Sequence, residues 1–60
     1  MNKLKEARLK AELTQKEMSD MLEIPVRTIQ DWEREERKPP VYVEKLVLRE
    51  LERIIIAKSN

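Results

Sequence analysis

The chain has no cysteine, no histidine and no glycine in 60 residues. Without cysteine there is no disulfide, and without cysteine or histidine the usual zinc ligand sets are missing, so two common staples of small domains are excluded. The same absences remove thiol and imidazole nucleophile–base pairs and any glycine-rich phosphate loop. Together with a chain too short to enclose a pocket, they argue against an enzyme and imply no metal, cofactor or small-molecule ligand. Long apolar runs are lacking too: Ile54-Ile55-Ile56-Ala57 is far below the length of a membrane span, and no signal-peptide pattern is present. The expectation is a soluble, cytoplasmic protein with no membrane contact. An excess of one charge is also missing, because 13 basic and 12 acidic residues leave a net charge of +1 although 42% of the chain is charged. That balance excludes a polybasic tail that binds any polyanion, so any nucleic-acid contact must be local and geometric.

What is present reads as helices. Asn2 suits an N-cap, and Leu4, Ala7 and Ala11 follow at helical spacing. Thr14-Gln15-Lys16-Glu17 fits a capping box, which starts a second helix whose apolar residues Met18, Met21 and Leu22 are expected in the core. That helix cannot run past Ile24, since the residue before a proline is pushed out of the α region. Pro25 then suits the first turn of a third helix. At about 100° per residue, Thr28, Ile29 and Trp32 fall on one arc and Val26, Arg27, Gln30, Asp31 and Arg34 on the other. A strand would instead put Ile29 and Trp32 on opposite faces. After a charged connection closed by Pro39-Pro40, a fourth helix from Val41 to about Ala57 offers Tyr42, Leu46, Val47, Leu51, Ile54 and Ile55 as apolar residues. The expectation is a single all-α domain of four helices over the whole chain, with a helix-turn-helix from about Thr14 to Arg34.

The stretch LTQKEMSDMLEIPVRTIQDWE resembles the helix-turn-helix of the XRE, or lambda-repressor-like and Cro-like, family. The resemblance rests on Leu13-Thr14-Gln15, the small residue Ser19, Met21-Leu22, Ile24, Thr28-Ile29, Trp32-Glu33 and Lys38-Pro39, and spans roughly Leu4 to Leu46. It implies a small four-helix, lambda-repressor-like domain with a long C-terminal helix. In such proteins the recognition helix, here Pro25 to Arg34, lies in the major groove with its N-terminal part toward the bases. On that reading the base-reading set is Val26, Arg27, Gln30 and Asp31. Arg27 matches guanine, Gln30 adenine and Val26 a thymine methyl. Asp31 either accepts from a cytosine amino group or orients Arg27, and the pair is also consistent with a plain surface ion pair. The backbone-phosphate set is Thr14, Gln15, Thr28, Arg37 and Lys38, with Gln15 at the family's phosphate-contacting position beside the unpaired amides of a helix start. Arg8 and Glu33 stand where the family has a structural salt bridge.

Three departures accompany the resemblance. The family commonly has glycine after the first helix, between the second and third, and after Trp-Glu, where this chain has Glu12, Glu23 and Glu35. Either these turns avoid positive φ, or each stores strain. The family's usual fifth helix has no room here. The aliphatic C-terminal helix therefore either dimerises through Val47, Leu51, Ile54 and Ile55, setting two recognition helices about 34 to 36 Å apart, or folds back onto the first helix. The implied function is a sequence-specific transcriptional regulator, a dimeric repressor on double-stranded operator DNA of the kind carried by bacteria, phages or mobile elements. The alternative is a protein-interaction module, such as an antitoxin or inhibitor, built on the same scaffold.

Overall fold

The computed structural model describes residues 2–58, in four helices: α1 (Lys3–Lys10), α2 (Gln15–Leu22), α3 (Val26–Glu33) and α4 (Val41–Lys58). Each boundary has a local cause. Asn2 caps α1, its Oδ1 accepting from the Lys5 amide at 3.0 Å. Thr14 Oγ1 accepts from the Glu17 amide at 3.0 Å while Glu17 Oε1 accepts from the Thr14 amide at 2.9 Å, so both halves of the capping box are made. Pro25 precedes α3, and its carbonyl accepts from Thr28 and Ile29. Pro39-Pro40 stands outside any helix just before α4, and the Pro40 carbonyl accepts from Glu44.

All three helix ends before α4 close through a left-handed residue. Glu12, Glu23 and Glu35 have φ of 59°, 55° and 63°. Beyond each, a backward hydrogen bond satisfies a terminal carbonyl: Leu13 N–H to Arg8, Ile24 N–H to Ser19 and Glu36 N–H to Asp31. This is the Schellman geometry, normally completed by glycine because a Cβ crowds the backbone at positive φ. Of the two possibilities left by the sequence, the strained one is the one adopted.

Each helix gives the core at least one side chain. Leu4, Ala11, Met18, Ile29, Val47 and Leu51 form it, with Trp32, Ile54 and Ile55 among the half-buried residues around it. α1 packs against α4 and α3, and α2 packs against α3. Burying one such large apolar side chain is worth about 1.5 to 3 kcal/mol relative to leaving it exposed. Two expectations, for Met21 and for the inward residues of α4, are corrected. Met21 is 53% exposed and not core: the buried side of α2 is centred on Met18, Gln15, Ser19 and Leu22, because α3 crosses there, and Met21 falls outside that arc. Trp32 is half-buried, one side against the core and the other on a shallow groove shared with Lys3, Arg37 and Lys38. Val47 and Leu51, expected at a dimer interface with Ile54 and Ile55, are 6% and 0% exposed. They face inward because α4 folds back along α1, and Ile54 and Ile55 pack on the same core. The outward side of α4 carries Tyr42 and Leu46 instead, 69% and 58% exposed.

Candidate nucleic-acid interface

A polar seam joins the first three helices. Arg8 on α1 donates from Nε to Glu33 Oε2 at 2.8 Å and from Nη2 to Oε1 at 3.1 Å, and its Nη1 donates to the Leu13 carbonyl at 2.9 Å. The two side chains are 10% and 5% exposed, and a charge removed from water to this degree requires such partners. Glu33 has a third donor: Gln15 Nε2 on α2 reaches Oε1 at 3.1 Å. Gln15 Oε1 in turn accepts from Gln30 Nε2 on α3 at 3.5 Å. One carboxylate therefore fixes the angle of α3 against α1 and α2, and the link runs on to the outward side of α3. Asn2 adds a second brace, its Nδ2 donating to the Trp32 carbonyl at 2.9 Å. Asn2 was legible as a cap but not as this brace, since an asparagine at a helix start shows only its acceptor role in sequence.

The outward side of α3 carries the expected base-reading residues, unequally presented. Arg27 has a side chain 79% exposed, whereas Val26 and Gln30 are half-buried and the Asp31 side chain is 13% exposed. Asp31 Oδ1 accepts from Arg27 Nε at 3.4 Å, one turn along the same helix. In the free protein Asp31 and Arg27 are thus paired along α3.

The expected phosphate residues are not all brought together. Thr14 and Gln15 stand at the start of α2, where first-turn amides have no partner within the helix and carry the positive end of its dipole. Arg37 and Lys38 are exposed in the connection after α3, beside Trp32. Thr28 is half-buried on the flank of α3 turned away from Gln30. Glu35 and Glu36 lie exposed in the same connection as Arg37 and Lys38 and offset part of their charge. Among the described residues no group of acidic side chains is placed to hold a metal ion, and no helix is long and apolar enough to cross a membrane.

A family model described as Helix-turn-helix, of the XRE/Cro/C1 type, matches residues 4–53. No curated protein and no solved structure gives a match. The matched span takes in the whole of the polar seam, α3 and most of α4.

Proposed function

The chain belongs to the XRE/Cro/C1-type helix-turn-helix family of DNA-binding regulators, and we propose that it acts as a sequence-specific repressor, inserting α3 in the major groove of an operator. One observation carries this reading: an arginine 79% exposed at the start of α3, on a helix whose angle is held by a buried ion pair to α1 and an amide from α2. A braced mount and an exposed guanidinium whose terminal nitrogens are open to solvent are what guanine readout requires, because the donor pair must meet O6 and N7 together. Gln15 and the α2 amides supply the neighbouring phosphate contact, with Arg37 and Lys38 as a second.

The repressor works as a homodimer on two half-sites. With Val47 and Leu51 taken by the core, the outward side of α4 with Tyr42 and Leu46 is the apolar surface that supports pairing. Titration of duplex DNA at rising salt tests the reading. Affinity should fall log-linearly, and Lys38→Ala should lower the salt slope by about 1 while weakening all sequences alike. A salt-independent interaction, or binding only to a protein partner, would favour the interaction-module alternative. Sedimentation of the full chain should show a dimer at the concentrations that bind DNA.

A further inference from the structure

We propose that direct base readout by α3 is confined to Val26 and Arg27, and that Gln30 and Asp31 are positioning residues, Gln30 for Gln15 and Asp31 for Arg27. The inference rests on the docking of α3 proposed above and narrows the ligand to duplexes presenting a guanine beside a thymine methyl.

The orientation of the Gln15 amide is not free. Glu33 can only accept, so the Gln15 atom at 3.1 Å from it is the nitrogen, and the oxygen is the atom left for Gln30. Gln15 Nε2 keeps a second hydrogen, which with the first amides of α2, those before the capped Glu17, makes a donor set for a phosphate. Without Gln30 the Gln15 oxygen loses its donor, and the amide is held at one end only. Gln30 is half-buried on α3, one turn from Glu33, and its amide is tied toward the start of α2. That position serves the phosphate-binding end of the motif.

Asp31 is disposed for the same kind of work. Reading cytosine would need its carboxylate presented to the groove, but the side chain is only 13% exposed and is paired with an arginine that is 79% exposed. Only Arg27 Nε is engaged. The terminal nitrogens Nη1 and Nη2 remain as the donor pair for guanine, and Asp31 restricts the rotamers from which they approach. Val26, the first residue of α3, is left as the neighbouring apolar contact.

Selection from random duplexes, run on the wild type and on Arg27→Ala, Asp31→Asn, Gln30→Ala, Gln15→Ala and the Gln15→Ala/Gln30→Ala double variant, tests the assignment, with folding of each checked by circular dichroism. Gln30→Ala should return the wild-type motif with affinity reduced about 3- to 10-fold for every sequence, the worth of one hydrogen bond. The double variant should bind no worse than Gln15→Ala, because Gln30 acts through Gln15. Arg27→Ala should lose the guanine, and Asp31→Asn should keep it with reduced preference. A changed base preference in Gln30→Ala, or a double variant that loses the product of the two single effects, overturns the assignment. If the wild type itself enriches no motif, the proposed function fails, and the positioning role of Gln30 is decided in the free protein. There, in the 15N-labelled full chain, the Gln15 side-chain amide signals should shift in both Gln30→Ala and Glu33→Gln, and signals unmoved by Gln30→Ala overturn it.

Discussion

Two carboxylates on α3, two residues apart, each hold an arginine to opposite effect. Glu33 binds Arg8 from another helix through two contacts at 2.8 and 3.1 Å, both side chains nearly out of water. Asp31 binds Arg27 on its own helix through one contact at 3.4 Å, and the arginine stands in solvent. The chemistry is identical, and burial with sequence separation makes the difference. The first pair is a joint between helices, whereas the second leaves most of the guanidinium available to a ligand. A third set, Glu12, Glu23 and Glu35, makes no side-chain hydrogen bond among the described contacts and sits where the backbone is strained.

The largest expected effect breaks the joint. Arg8→Ala leaves the Glu33 carboxylate buried without its countercharge, held only by the Gln15 amide, at a cost of about 3 to 5 kcal/mol. For a chain of this size that approaches the entire stability of about 3 to 9 kcal/mol. Thermal and urea melts should show the cooperative transition lost or reduced to a remnant. A loss below about 1 kcal/mol would mean that the seam does not set the angle of α3. Arg27→Ala should do the reverse: about 1 to 3 kcal/mol of base discrimination disappears from DNA binding, while the melt moves by no more than about 0.5 kcal/mol. If stability and discrimination fell together, the division between the two arginines would not hold.

Glu23→Gly should gain about 1 kcal/mol, because it relieves the left-handed Cβ clash and removes a negative charge from the negative end of α2. In a domain this small that is a midpoint about 4 to 8 °C higher. The gain should be repeated at Glu12 and Glu35, and the three should add, since the turns are separate. The smallest effect is the control: Lys16→Ala, which cuts the exposed 3.5 Å pair with Asp20, should change the melt by less than about 0.5 kcal/mol.

Much of this is legible in the sequence. Capping chemistry is local, so Thr14 and Glu17 declared the start of α2, and the prolines at 25 and 39–40 bounded α3 and opened α4. The candidate reading residues were found on one side of α3 by their period, and Arg8 with Glu33 came only through the family resemblance. Other features were not legible, for identifiable reasons. Met18 and Met21 are equally apolar and helically spaced, and nothing local says that Gln15 and Ser19 would share the buried arc with Met18. In α4 apolar residues occur on more than one side, so its period could not tell the core stripe of Val47 and Leu51 from the outward Tyr42 and Leu46 until α1 was laid against it. The Gln15–Gln30 contact depends on the crossing of two helices, and no residue pattern encodes it alone.

The three glutamate turns also bear on how long a molecule persists. About 1 kcal/mol at each, some 3 kcal/mol together, corresponds to a roughly hundredfold larger unfolded population than the same fold with glycine would have. Where cleavage follows the fraction of open chains, degradation tracks that population. Three backbone dihedrals near +60° then bear on the half-life of this DNA-binding domain, and with it the time over which a pool of the protein persists after synthesis stops.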